Sequence, residues 1–132
     1  EYYGCGIIQP CARGAMYYRK HFGAENIKIF ADIQVKHTHM VLPNISIEDS
    51  AKAAYSVGAD ALIVTGSRIG VETPIEMIQR VKKVVNIPVI AGSGVNTANI
   101  KEQMKIADGA IVGSSLKEGG NISNPLMNAL HN

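Results

Sequence analysis

No apolar run in this chain reaches the about 18–20 residues that a membrane-spanning helix needs, and its start lacks the pattern of a secretory leader. Charge of one sign is scarce too. The net charge is +2 and aromatics make up only 5% of the residues, so there is no basic stripe with interleaved rings of the kind that holds nucleic acid. The two cysteines, Cys5 and Cys11, have no third or fourth partner and no metal-type spacing, which fits a reducing, cytoplasmic setting. No linker or low-complexity stretch divides the sequence, so residues 1–132 read as one domain. Hydrophobic residues at 46% and charged residues at 18% describe an ordinary globule with a real core.

What the chain does have is a steady alternation of strand and helix patterns with short turns, the mark of a parallel α/β fold. Residues 12–22 read as a helix stopped by Gly23, with Tyr17, Tyr18 and His21 as packing residues. Residues 27–36 read as a strand. Ser46-Ile47-Glu48-Asp49 resembles a capping box that opens a helix ending at Gly58. Residues 61–65 form the next strand. Thr73-Pro74-Ile75-Glu76 then predicts a helix with Thr73 as its N-cap and a buried stripe of Ile75, Ile78, Val81 and Val85. Lys82-Lys83 reads as its solvated face. Residues 88–91 are the third strand, 97–105 a helix, 109–112 the fourth strand, and 124–130 a short closing helix. Ala59-Asp60-Ala61 and Ala107-Asp108-Gly109 echo each other ahead of two of these strands.

Four strands, with none before the first helix, are half of what a (β/α)8 barrel of about 250 residues uses. The chain is therefore expected to be a half-barrel, with a small flavodoxin-type sheet as the other arrangement open to it. Its start at Glu1 suggests a trimmed piece of a longer chain. A four-stranded half leaves two edges unpaired. They would be covered by a missing N-terminal half or by a second copy, the latter making a homo-oligomer.

Two strand ends carry the main chemical signal: Ala91-Gly92-Ser93-Gly94 and Val112-Gly113-Ser114-Ser115, with Gly92 and Gly113 standing 21 residues apart. Glycine leaves neighbouring N–H groups unshielded, and two such turns on adjacent parallel strands can aim amides and a helix start at one anion. The loops after the last two barrel strands are where a phosphate commonly sits. Thr65-Gly66 ends another strand at the same rim, and Lys117 follows the last turn. Thr65, Gly66, Gly92, Ser93, Gly94, Gly113, Ser114, Ser115 and Lys117 are thus the candidate ligand-binding residues, and Arg68 is a further cation nearby.

Along residues 27–37 the even positions Lys28, Phe30, Asp32, Gln34 and Lys36 alternate with an apolar set that includes Ile29, Ile33 and Val35. If the apolar set packs on helices, Asp32, Gln34 and Lys36 face the barrel axis. Charged groups are costly there unless they pair with each other or meet a ligand. Asp32, Lys36 and His37 are therefore the catalytic candidates, as acid/base or charge-stabilising groups. His37 and His39 have a two-residue spacing that could share a metal, but no carboxylate motif completes a set, so no metal and no cofactor are expected.

Taken together, these residues resemble the BtpA/SgcQ family. The matching stretches are Gly6-Ile7-Ile8, Ala31-Asp32-Ile33-Gln34-Val35-Lys36-His37, Ala59-Asp60-Ala61 through Val64-Thr65-Gly66, Gly92-Ser93-Gly94-Val95, and Ala107-Asp108-Gly109 through Lys117. The chain departs from that pattern at Ile69-Gly70, at Ser114, and at Glu118-Gly119. The resemblance implies a TIM-type barrel about twice this length, of which this chain is the C-terminal half with strands five to eight. It also implies links to photosystem I biogenesis for cyanobacterial members, and supplies no reaction. Two readings follow. One is a barrel enzyme acting on a small phosphorylated or anionic substrate; the other is a non-catalytic assembly or interaction factor that keeps the barrel and its anion pocket.

Overall fold

A computed structural model describes residues 11–35, 44–67, 71–118 and 121–122. The elements are α1 (Ala12–His21), β1 (Phe30–Ile33), α2 (Ile47–Ser56), β2 (Ala61–Val64), α3 (Ile75–Lys82), β3 (Val89–Ala91), α4 (Ile100–Gln103) and β4 (Gly109–Ala110). A 3₁₀ turn (Ser114–Leu116) then leads into a hairpin of β5 (Lys117–Glu118) and β6 (Asn121–Ile122). Strands β1 to β4 form one parallel sheet in sequential order. That order never turns back, as a flavodoxin-type sheet must, so the architecture is half of a (β/α)8 barrel.

Local signals explain most of the boundaries. Ser46 caps α2: its Oγ accepts the Asp49 N–H at 3.1 Å and donates to the Asp49 carboxylate at 2.7 Å. Gly23 and Gly58, at φ +61° and +96°, take the left-handed conformation that stops α1 and α2. The stripe on α3 is buried at Ile78, Val81 and Val85.

The Thr73 reading is corrected. Pro74 occupies the α3 N-cap position, and Thr73 is wholly buried, its hydroxyl in reach of the Val64 carbonyl at 3.1 Å and the Ser93 carbonyl at 3.3 Å. A buried hydroxyl between two strand-end carbonyls does more there than as a solvent-facing cap. Helix 97–105 is also shorter than expected. Only Ile100–Gln103 is α-helical, because turns on either side absorb the rest.

The core lies on one face of the sheet. Ile33, Leu62, Val64, Val89 and Ala91 pack against Ile47 and Ala51 of α2 and Ile78 and Val81 of α3. Parallel register puts partners on the same face: Ala31, Leu62 and Val89 in one row, Ile33, Val64, Ala91 and Ala110 in the next. The alternate residues, Phe30, Asp32, Ile63, Ile90 and Ile111, face the other way. Phe30 is 54% exposed and Ile111 46%, so the face that lines the inside of a closed barrel is uncovered in this chain.

Helix α1 buries no residue. Tyr17, Tyr18 and His21 therefore do not pack into the core. Instead the rings stack along the helix, Tyr17 on His21 at 5.6 Å and Tyr18 on Phe22 at 6.3 Å between centroids, at four-residue spacing.

The Ala-Asp echo has a mechanical meaning. Asp60, just before β2, accepts the Ile29 N–H at 2.9 Å and pairs with Arg19 of α1 at 2.7 Å, while its own N–H donates to the Ile29 carbonyl. Asp108, just before β4, repeats this with the Val89 N–H at 2.9 Å, Lys82 of α3 at 2.6 Å and the Val89 carbonyl. Lys82 is thus a clip partner rather than a plain solvated residue. Each aspartate clips its strand to the preceding one and to the helix before it. The Ile29 N–H and then Arg19 hold the Asp60 carboxyl below its usual range, and Lys82 and then the Val89 N–H do the same for Asp108.

Candidate functional site

The C-terminal ends of β2, β3 and β4 carry the rim. Asp32 stands on the uncovered face of β1, in register with Ile63 on β2, which is in register with Ile90 on β3. Lys36, His37, His39 and Arg68 lie outside the described residues. Gln34 departs from the expected alternation. It sits at φ +50°, and its Nε2 donates to the Ile45 carbonyl and to Ser50 Oγ of α2, both at 3.2 Å. The left-handed backbone breaks the two-residue period, so β1 ends at Ile33 and the Gln34 side chain braces α2 instead of joining Asp32. The same break leaves Val35 exposed rather than packed on helices.

The glycine-serine residues divide into framework and free amides. Gly92 donates its N–H to the Val64 carbonyl at 2.7 Å, and a Cβ there would come within 2.5 Å of Ile63 Cγ2 and 2.6 Å of Thr65 Cγ2. Its bareness serves packing. Ser93 is buried; its Oγ accepts the Gly66 N–H at 2.6 Å and donates to the Val71 carbonyl at 2.8 Å. Gly66 is enclosed in turn, since a Cβ would lie 2.6 Å from the Val71 carbonyl oxygen. Gly66, Gly92 and Ser93 therefore tie the loops after β2 and β3 together: the Gly66 and Gly92 N–H groups and the Ser93 hydroxyl are already bonded inside the fold.

Beyond them the amides are unspent. Gly94 is at φ +66°, and a Cβ there would run into the backbone of Val71 and Glu72, so only glycine lets the chain pass this close. Its carbonyl is held by Asn99 Nδ2 at 2.9 Å and Asn96 Nδ2 at 3.3 Å. Among the described residues the N–H groups of Gly94, Val95, Ser114 and Ser115 have no acceptor. Ser115 Oγ donates to the Val95 carbonyl at 2.7 Å and joins the two loops. Gly113 is exposed, with open space where a Cβ would be. Ser114 is exposed in the 3₁₀ turn, and Lys117 is exposed at the start of β5. The expected helix start does not join them: Asn96 Oδ1 takes the Ala98 and Asn99 N–H groups, and α4 is only four residues long.

Thr65 ends the inner row of β2. It is 7% exposed, and among the described residues its Oγ1 has no hydrogen-bond partner. Sequence reasoning missed one support of the rim and one hairpin. Gln103, fully buried, donates to the Glu72 carboxylate at 2.7 Å and the Thr73 carbonyl at 2.9 Å, pinning the loop after β2 to α4. The β5–β6 hairpin was signalled by the Gly119-Gly120 pair, a common two-residue hairpin dipeptide. Cys11 is exposed and free, and no group of three His, Cys, Asp or Glu side chains fit for a metal occurs among the described residues. Among them, too, no helix is long and apolar enough to cross a membrane.

A sequential parallel half-sheet with paired glycine loops at its C-terminal rim defines a barrel protein of the TIM type. The chain belongs to the BtpA family, whose profile matches residues 3–129. It is 46% identical over 122 residues to an uncharacterized mitochondrial protein of Caenorhabditis elegans, covering 92% of this chain and 44% of that one. It is 31% identical over 122 residues to the photosystem I biogenesis protein BtpA of Synechocystis, covering 89% and 41%. The chain thus spans less than half the length of these relatives. Among solved structures, the YdjI aldolase of Escherichia coli is similar at a TM-score of 0.52 and 21% identity, over 80% of this chain and 38% of the aldolase. That likeness bears on the fold alone.

Proposed function

We propose that the rim binds the phosphate or other anionic group of a small molecule, held by the backbone amides of Gly94, Val95, Ser114 and Ser115. The observation that carries this reading is the 2.7 Å bond from Ser115 to the Val95 carbonyl, which fastens together two loops whose amides are unspent. Unpaired N–H groups on adjoining strand ends form the concave donor surface an anion needs. Gly66, Gly92 and Ser93 fix the loops, and Lys117 adds positive charge. Asp32, Lys36 and His37 then do acid/base or charge-stabilising work along the first strand. Four further strands, from a preceding segment or a second copy, close the uncovered face and the edges of β1 and β4.

The photosystem I biogenesis role named for the Synechocystis relative favours a second reading, a non-catalytic assembly factor that keeps the anion pocket. Titration of the full-length protein with inorganic phosphate and phosphate esters, beside a Gly113→Leu variant, tests the first. Gly113 is the position to change, because a side chain there meets open space, whereas one at Gly94 collides with backbone. Binding by the parent and about tenfold weaker binding by the variant is the expected result. Equal binding by both, or binding by neither, removes the anion site and leaves the assembly reading ahead.

A further inference from the structure

Thr65 carries a hydroxyl to which the described residues offer no partner. The side chain is 7% exposed, and Oγ1 is buried and unbonded. Its surroundings on the inner face explain why. Gly92, beside it on β3, has no side chain, and the Thr65 methyl fills the space that a Cβ would need. Ile63, the preceding inner residue of β2, is apolar. On the β1 side, Gln34 has turned to Ile45 and Ser50. The hydroxyls of Ser93 and Thr73 donate to backbone carbonyls, Ser93 to Val71 and Thr73 to Val64. A valine would fill the same volume without the unpaired group, and a buried unpaired hydroxyl lowers stability.

Such a group, at the ligand end of a strand, gains its bond when a ligand brings one. Resting on the anion-binding reading above, we infer that Thr65 determines specificity, its hydroxyl bonding a hydroxyl group that the substrate carries near its phosphate. The substrate class is then a phosphorylated polyol rather than free phosphate or a phosphorylated apolar group. A threonine hydroxyl both donates and accepts, which suits an alcohol. A site built to hydrogen-bond an alcohol discriminates against analogues that lack it, because its own polar group is otherwise left unpaired.

The test is calorimetric titration of the full-length protein, its Thr65→Val and its Thr65→Ser variants with inorganic phosphate, ethyl phosphate and glycerol 3-phosphate, together with thermal melts. The parent should bind glycerol 3-phosphate about tenfold more tightly than ethyl phosphate. Thr65→Ser should keep that preference. Thr65→Val should lose it and show a higher melting temperature. A preference that survives in Thr65→Val, or is absent from a parent that still binds inorganic phosphate, overturns the role of Thr65 and leaves the anion site standing. A lower melting temperature for Thr65→Val reveals an internal partner for the hydroxyl and also overturns the inference. Failure of all three ligands to bind the parent overturns both readings together.

Discussion

Gly94, Gly92 and Gly113 look alike in the sequence, yet replacing each with alanine should give three different costs. At Gly94 the backbone is at φ +66°, where a side chain costs about 1–3 kcal/mol. The new methyl also meets the Val71–Glu72 backbone, which cannot swing aside as a side-chain end can, and overpacking of that kind adds about 1–3 kcal/mol. A loss of roughly 4 kcal/mol is expected, a large share of the 5–15 kcal/mol typical of a whole domain. At Gly92 φ is not in the left-handed region, and the methyl meets first the side-chain ends Ile63 Cγ2 and Thr65 Cγ2, with the Val64 carbonyl oxygen farther off at 3.1 Å, so about 1–3 kcal/mol follows from packing alone. At Gly113 nothing lies within 4 Å, and the change should stay within about 0.5 kcal/mol. Urea unfolding of the three variants at constant slope reads these differences directly. Equal losses at Gly94 and Gly113, or a Gly92 variant worse than the Gly94 variant, would refute the assignment of backbone contact to one glycine and open rim to the other.

Two further outcomes are expected. Glu48 is held at about 2, below its ordinary 4.5, chiefly by its paired hydrogen bonds from Arg80 at 2.6 and 2.8 Å. A carboxyl depressed in the folded state stabilises it above the ordinary value and loses that contribution as pH falls from about 4.5 toward 2. Denaturation midpoints measured across that window should therefore fall less steeply for Glu48→Gln than for the parent; parallel curves would refute the pairing. Thr73→Val, which leaves buried carbonyls short of a donor, should cost about 1–2 kcal/mol in urea unfolding, and Thr73→Asp should cost more, because it buries a carboxylate. An aspartate that stabilised the protein would restore Thr73 to the role of helix cap.

Elements that depend on short-range chemistry were legible. The Ser46 cap, the stops at Gly23 and Gly58, and the buried stripe of Ile78, Val81 and Val85 each rest on residues a few positions apart. The strand count and sequential order followed from the βα alternation. Long-range partners decided what the sequence hid. Nothing near Gln34 signals a left-handed residue, since its bonds go to Ile45 and Ser50 on the far side of a loop. Ser93 and Gly94 read as equal members of one turn, but the loop at Val71 and Glu72 bonds the first and crowds the second. The echo of Asp60 and Asp108 was visible as a repeat, while its purpose required seeing Ile29 and Val89 beside them.

Those two aspartates stand at the opposite end of the sheet from the glycine loops. The register of β1 against β2, and of β3 against β4, is thereby pinned at the end of the sheet away from the rim. A one-residue slip would turn every side chain on a strand to the wrong face, and each clip opposes that slip without using any rim atom. Replacements at the open positions of the rim, such as Gly113 and Ser114, therefore leave the strands in alignment. Register is thus set at one end of the sheet, and the rim at the other end carries only its own loop contacts.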